Sequence, residues 1–102
     1  MGRILVADDD PEIRDAIQRL LEAERHEVLF AEDGPSTLDM VAQQRPDILL
    51  LDLEMPELGG LKVLSIIRQD PIVMTTCVII VSVRGRPSDR DRAEELDVTI
   101  IF

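Results

Sequence analysis

Residues 48–52 have the sequence ILLLD, in which four aliphatic residues are followed directly by an aspartate. A strand that is apolar at every position is typical of the interior of a parallel sheet with helices on both faces. The stretch therefore predicts a central strand, Ile48–Leu51, that brings Asp52 to the carboxyl end of the sheet. Open α/β sheets bind their ligands at that end.

A second aliphatic run, Arg3–Ala7, ends at three consecutive acids, Asp8, Asp9 and Asp10. Asp10 is suited to cap a helix that begins at Pro11, because aspartate favours the cap position and proline the first helical position. The run therefore predicts a strand followed at once by a helix. The same pattern leaves Asp8 and Asp9 at the end of the strand, beside the expected end of the central strand.

Strands and helices alternate through the rest of the chain. The remaining predicted strands are Val28–Ala31, Val78–Val81 and Val98–Phe102, and the remaining predicted helices are Ser36 to about Gln43, Leu61 to about Arg68, and Ser88 to about Leu96. Ser36 with Asp39, and Ser88 with Asp91, have the spacing of a capping box. This order predicts an α/β fold: a flavodoxin-like, doubly wound, parallel five-stranded sheet with strand order 2-1-3-4-5. We expect residues 1–102 to form one domain.

Several side chains have predicted environments that the structure can test. In the first helix, the spacing of Ile13, Ile17, Leu20 and Leu21 predicts one buried stripe. We expect Cys77 to be a small buried apolar residue, Lys62 to be solvated, and His26 to be an exposed or half-buried loop residue. With a single cysteine, the chain has no internal disulfide.

Polar residues follow three of the predicted strands: Asp8 and Asp9 the first, Asp52 the third and Ser82 the fourth. In this strand order the first and third strands are neighbours, so their terminal carboxylates converge. Carboxylates about 5 Å apart repel one another by roughly 3 kcal/mol per pair at an effective dielectric constant near 20. Such a cluster either has a sharply raised carboxyl pKa or recruits a cation, and hard oxygen ligands with room for water favour Mg²⁺.

The charge of the chain limits its partners. It carries 21 acidic and 11 basic residues among 102, for a net charge of −10. This charge repels phosphate backbones, so we expect no direct contact with nucleic acid. The longest apolar runs are too short to cross a membrane, and acids stand where a secretory signal would need apolar residues. We expect a cytoplasmic protein with no membrane association.

Three motifs carry a resemblance to a known family: ILVADDDPEIR (residues 4–14), ILLLDLEMPELGGL (residues 48–61) and VIIVSV (residues 78–83). Together they resemble the receiver domain of two-component response regulators. The resemblance implies that Asp52 is the phosphoacceptor and that Ser82 bonds a phosphoryl oxygen. It implies Mg²⁺ bound by Asp9 and Asp52, by Asp8 largely through water, and by the backbone carbonyl of Glu54. The implied phosphodonor is a sensor histidine kinase, a phosphotransfer protein or a small molecule.

The sequence departs from the family pattern near its C-terminus. The family has a Lys-Pro pair after the fifth strand and then a final helix, and neither appears before the sequence stops at Phe102. We therefore expect an incomplete receiver domain with weakened signalling, in which Arg84 is a candidate substitute cation. Val83 could narrow access to Asp52. An uncovered apolar edge at Thr99–Phe102 predicts homodimers or domain-swapped assemblies.

Two alternative functions remain open on the sequence alone. Asp52-Leu53-Glu54 after an apolar strand partly matches the nucleophile motif of haloacid-dehalogenase-type phosphatases. That family prefers an aspartate two residues after the nucleophile, and it leaves Asp8 and Asp9 unexplained. The second alternative is a degenerate receiver that serves as a docking or dimerisation module without phosphorylation. The missing lysine favours this alternative, whereas the intact acidic trio favours the phosphoacceptor.

Overall fold

The computed structural model describes residues 2–55 and 57–81, and the backbone of residues 99–101. Strands and helices alternate along this part of the chain. In chain order the elements are β1 (Arg3–Ala7), α1 (Pro11–Ala23), β2 (Glu27–Ala31), α2 (Gly34–Gln44), β3 (Ile48–Leu51), α3 (Gly60–Gln69), β4 (Cys77–Val81) and β5 (Thr99–Ile101). The predicted strands are confirmed to within one residue at each end. The predicted helix Ser88–Leu96 lies outside the described residues.

The five strands form one sheet in the order β2-β1-β3-β4-β5, and every neighbouring pair is parallel. The predicted doubly wound α/β fold is therefore confirmed. Ala7 pairs with Leu51 at the carboxyl ends of β1 and β3. Because the two strands end in register, the residues that follow them emerge side by side.

The core lies between the sheet and the inner faces of α2 and α3. Leu49 and Leu51 of β3 are fully buried, as are Leu64 and Ile67 of α3. Burial of an aliphatic side chain of this size contributes about 1.5–3 kcal/mol, so these contacts hold β3 firmly in place. On the opposite face of β3, Ile48 and Leu50 are only half-buried. The predicted burial of both faces is therefore confirmed for one face and incomplete for the other.

The predicted buried stripe of α1 is wrong. No residue of α1 is buried, and Leu20 is 70% exposed. The side of the helix that faces the sheet carries Ile13, Ile17 and Leu21, which are half-buried. No described element packs over Leu20. The apolar residues of α1 therefore extend beyond the side of the helix that contacts the sheet.

The spacing of Ser36 from Asp39 predicted that Ser36 is the N-cap of α2, and this prediction is wrong. The helix begins at Gly34, and its N-cap is Asp33, whose side chain accepts a hydrogen bond of 2.8 Å from the Ser36 backbone N–H. Ser36 occupies the third helical position and completes the capping box from there. Pro35 is tolerated in the first turn because the N–H it lacks would have no partner within the helix.

The expectation that Cys77 is buried is also wrong, because Cys77 is the first residue of β4 and is exposed there. Lys62 is exposed and His26 is half-buried, as predicted. Among the described residues, no helix is long and apolar enough to cross a membrane.

Candidate metal and phosphoryl site

The backbones of Asp8 and Asp52 are held by hydrogen bonds that continue the sheet one residue past its strands. The Asp8 N–H donates to the Ala31 carbonyl at 3.1 Å, and the Asp52 N–H donates to the Ala7 carbonyl at 2.9 Å. Neither residue is free to swing away, because each is fixed to the neighbouring strand. Their positions therefore follow from strand register rather than from a flexible loop.

The carboxylates of Asp8, Asp9 and Asp52 come together at this edge. Each offers one oxygen, and these oxygens all lie within 4.8 Å of one another. Asp8 and Asp52 are buried at 5% and 8% exposure, whereas Asp9 is exposed. Asp8 and Asp52 are therefore shielded from solvent, and water reaches the cluster from the side of Asp9.

Short loop hydrogen bonds orient the two buried carboxylates. Oδ1 of Asp8 accepts a bond of 2.9 Å from the Asp10 backbone N–H, and Oδ1 of Asp52 accepts one of 3.1 Å from the Glu54 backbone N–H. In both cases the donor lies two residues further along the chain, which is the geometry of an Asx turn. The same turn geometry therefore orients the side chains of both aspartates.

The pKa of Asp8 is raised by its place in this cluster. Burial raises the pKa of the Asp8 carboxyl above its ordinary value of 3.8, and the negative charges of Asp9 and Asp10 raise it further. The hydrogen bond from the Asp10 N–H and the positive charge of Arg14 act in the opposite direction on that pKa. A cation bound among the carboxylates would relieve the repulsion.

Arg14 is a site residue that the sequence analysis missed. It lies on α1, its guanidinium forms an ion pair of 3.1 Å with Glu32, and its side chain is 19% exposed. Its Nε is buried and has no hydrogen-bond partner among the residues that the structure describes. The available signal was its position four residues after Asp10, one helical turn beyond the acids.

The loop after β3 is shaped by close backbone contacts. The Gly60 N–H donates to the Leu53 carbonyl at 2.9 Å, and a β-carbon on Gly60 would stand 2.7 Å from the Leu53 α-carbon. Glu57 has a positive φ of 68°, which is uncommon for a non-glycine residue. This tight path holds the residues that follow Asp52 against the start of α3.

Three of the four predicted metal ligands are therefore brought together, namely Asp8, Asp9 and Asp52. The side chain of Glu54 is exposed and is not part of the cluster, so its proposed contribution through the backbone carbonyl stays a prediction. Ser82, Val83 and Arg84 lie outside the described residues. A set of carboxylate oxygens, open to water on one side, fits Mg²⁺, which prefers oxygen ligands and keeps several waters.

Known sequences resemble this chain over most of its length. The family model described as "Response regulator receiver domain" matches residues 4–101. The chain is 44% identical over 78 residues to the response regulator MprA of Mycobacterium avium (strain 104), a match that covers 72% of this chain and 34% of that protein. It is 49% identical over 61 residues to MprA of Mycobacterium tuberculosis (strain H37Rv), covering 60% of this chain and 26% of that protein. The matched part is thus about a third or less of each relative's length.

Solved structures are similar in fold. The N-terminal domain of a response regulator receiver protein from Methanoculleus marisnigri JR1 superposes with a TM-score of 0.89 at 26% identity, covering 99% of this chain and 83% of that one. The phosphorylated cyanobacterial phytochrome response regulator RcpA gives 0.90 at 28% identity, covering 97% and 77%. The Mn²⁺-bound form of response regulator Rcp1 gives 0.89 at 25% identity, covering 98% and 78%.

Proposed function

The chain belongs to the response regulator receiver domain family of two-component systems, and on this premise we propose that it accepts a phosphoryl group on Asp52 with the help of Mg²⁺. The observation that carries the proposal is the meeting of Asp8, Asp9 and Asp52 within 4.8 Å at the carboxyl end of the sheet. Two relatives of similar fold support it, since one was solved in a phosphorylated form and another with Mn²⁺ bound.

In the proposed reaction, a carboxylate oxygen of Asp52 attacks the phosphorus of a phosphohistidine on a partner protein. An oxygen–phosphorus bond forms while the phosphorus–nitrogen bond breaks. The nitrogen keeps the electron pair, and the imidazole leaves as a neutral group because its other ring nitrogen is protonated. The product is an acyl phosphate on Asp52. Hydrolysis by water later restores the carboxylate and releases inorganic phosphate.

The surrounding residues hold Asp52 in place for this attack. The Glu54 N–H donates to Oδ1 of Asp52, which fixes the plane of the carboxylate. Asp9 and Asp52 would bind the ion directly and Asp8 largely through water, with the Glu54 carbonyl as a further ligand. The bound ion would neutralise charge on the transferring phosphoryl group. Ser82 is proposed to bond a phosphoryl oxygen.

The proposed partner is a sensor histidine kinase or a phosphotransfer protein. The curated relatives are about three to four times as long as the matched segments, so any output activity of a longer protein is a separate question. The expected cytoplasmic location, the absence of direct nucleic-acid binding and the homodimer or swapped assembly stay predictions. Sedimentation at high concentration tests the last of these, because a strictly monomeric species would contradict it.

Phosphorylation by a small phosphodonor such as phosphoramidate tests the proposal directly. Intact mass measured with Mg²⁺ should show one added phosphoryl group on the wild type and none on Asp52→Asn. Asp15→Asn removes an exposed carboxylate of α1 and serves as the matched control, which should be labelled like the wild type. The label should be absent when EDTA removes the metal and should be released by hydroxylamine, as an acyl phosphate requires.

Other results of this experiment would support one of the alternative functions. A wild type that stays unmodified and shows no saturable Mg²⁺ binding would indicate a degenerate docking receiver. Repeated turnover of a generic phosphoester would indicate a phosphatase of the haloacid-dehalogenase type. A label that persists on Asp52→Asn would place the acceptor at another residue.

A further inference from the structure

A second polar feature lies at the opposite end of the sheet from the acidic cluster. It is an open cleft with a volume of about 460 Å³, lined by Gly2, Arg3, Arg25, Glu27, Arg45 and Asp47. The five residues of β1 separate it from Asp8, which corresponds to about 16 Å at the usual rise of a strand. The cleft is therefore distinct from the proposed phosphorylation site. Its volume falls within the range of small-molecule sites.

Arg3 and the two acids of the cleft already satisfy one another. The Arg3 guanidinium pairs with Glu27 through Nε at 3.1 Å and donates from Nη1 to the Gln44 carbonyl at 2.9 Å. The Asp47 carboxylate accepts the Arg3 backbone N–H at 2.8 Å. These contacts build a fixed floor in which each carboxylate is engaged. Because Asp47 accepts from a neutral backbone N–H, the lining side chains carry three positive and two negative charges, and Arg25 and Arg45 supply the positive excess.

Arg25 and Arg45 are exposed, and neither forms an ion pair with a described residue. Both have left-handed backbones, with φ of 64° at Arg25 after α1 and 46° at Arg45 after α2. Glycine is the usual residue at such helix ends, and a side chain there costs free energy. Backbone strain of this kind is concentrated at functional sites.

A simpler role for these arginines is to offset the negative end of each helix dipole. Because neither α1 nor α2 has a basic residue in its last turn, Arg25 and Arg45 are placed to fill that role as well. The helix dipoles do not require, however, that both arginines line the same cleft. The coincidence of two unpaired guanidiniums at one cleft, in a chain of net charge −10, needs a further cause.

We propose that Arg25 and Arg45 form a binding site for a small diphosphate-type anion in this cleft. Guanidinium groups bind phosphate oxygens through paired hydrogen bonds, and two of them suit two linked phosphoryl groups. The cleft has room beyond a single phosphate. The proposal is independent of phosphorylation at Asp52.

Inorganic pyrophosphate is the probe, titrated at constant ionic strength in metal-free buffer and followed by the backbone amide signals of ¹⁵N-labelled protein. Arg25→Gly and Arg45→Gly each remove one guanidinium and also relieve a left-handed side chain. They should therefore melt at or above the wild-type temperature, so lost binding cannot be attributed to misfolding. Arg19→Gln removes one exposed positive charge from α1 outside the cleft and is the matched control.

We expect saturable shifts confined to the amides of residues 2, 3, 25, 26, 27, 45 and 47. Each glycine variant should bind pyrophosphate about tenfold more weakly, while Arg19→Gln stays within about twofold of the wild type. Asp52→Asn should bind as the wild type does. Shifts that never saturate, equal affinity in all three arginine variants, or tighter binding of citrate than of pyrophosphate would each overturn the proposal.

Discussion

Gly34, the first residue of α2, lies directly against Leu58 in the loop that follows Asp52. A β-carbon on Gly34 would stand 3.0 Å from the carbonyl carbon of Leu58 and would also clash with its side chain. This contact joins the start of α2 to the loop between β3 and α3. The loop is anchored on its other side by the bond from Gly60 to Leu53, so it has little room to yield.

We therefore expect Gly34→Ala to lower the free energy of unfolding by about 1–3 kcal/mol, the usual cost of an added methyl group in a packed region. Gly59→Ala is the matched control, because its β-carbon would meet only the Leu53 carbonyl oxygen, at 3.6 Å. Gly59 is the N-cap of α3, where alanine is less favourable than glycine, so that control should lose about 0.5 kcal/mol and less than Gly34→Ala. Urea unfolding measures both, and equal stability of the two variants would contradict the contact.

The sequence was sufficient to predict the sheet because its signals are local and strong. Runs such as Ile48–Leu51 are too short and too apolar for an amphipathic helix, and each ends in a polar residue. The convergence of Asp8, Asp9 and Asp52 then follows from strand order alone. Fold and acidic trio were therefore both accessible without coordinates.

Features that depend on packing could not be predicted from the sequence alone. The apolar spacing of α1 cannot reveal that no described element covers Leu20. Ser36 and Asp33 are both good caps, and the sequence alone does not decide between them; in the structure the helix begins at Gly34, which lies against Leu58. The sequence places Arg14 one helical turn after Asp10, but the effect of its charge on Asp8 depends on how α1 packs beside the acidic cluster.

Asp33 should make stability depend on pH. The Ser36 backbone N–H, and then its hydroxyl, lower the pKa of the Asp33 carboxyl below its ordinary value of 3.8. The folded state thus favours the ionised form, and this contribution is present above pH 3.8 and lost as pH falls through the lowered pKa. Asp33→Asn keeps a capping oxygen but cannot ionise, so its stability should fall less steeply below pH 3.8.

Asp39→Asn changes the charge of the same helix at an exposed position and is the control for the Asp33 variant. Unfolding in urea at a series of pH values below 5 compares the three proteins. Parallel pH profiles for Asp33→Asn and the wild type would show that the capping hydrogen bonds do not select the ionised carboxylate.

Mg²⁺ should stabilise the fold through the acidic trio. A ligand that binds only the folded state adds about 2.7 kcal/mol at a concentration 100 times its Kd. Asp9→Asn should lose most of this gain at the same Mg²⁺ concentration, because Asp9 supplies one of the three clustered oxygens. In metal-free buffer the same variant should be at least as stable as the wild type, since it removes a repulsive charge.

Thermal unfolding with and without Mg²⁺ measures both effects, with Asp15→Asn as a control that removes an aspartate elsewhere on the exposed surface. The control should keep the full Mg²⁺ stabilisation. An Asp9→Asn protein that is stabilised as much as the wild type would mean that the ion binds at another site.

Arg14 should tune the affinity of the site for Mg²⁺. Its positive charge acts on Asp8 and so opposes a cation bound to the same carboxylates, while its partner Glu32 offsets part of that charge. Arg14→Gln should therefore bind Mg²⁺ more tightly, by roughly two- to fivefold at low salt, and Glu32→Gln should bind it more weakly. Arg19→Gln should have little effect, because that residue lies on the exposed side of α1.

Calorimetric titration of Mg²⁺ at two salt concentrations separates this charge effect from a structural one. The effect of the exposed Glu32 charge should shrink as the ionic strength rises, that of the largely buried Arg14 charge should shrink less, and a distorted site stays weak at any salt. Opposite shifts for Arg14→Gln and Glu32→Gln, with the Glu32→Gln shift the more sensitive to salt, would assign the effect to electrostatics. Shifts of the same sign would instead indicate that the ion pair acts by holding α1 against the loop after β2, since breaking it from either side would then disturb the position of Asp8 equally.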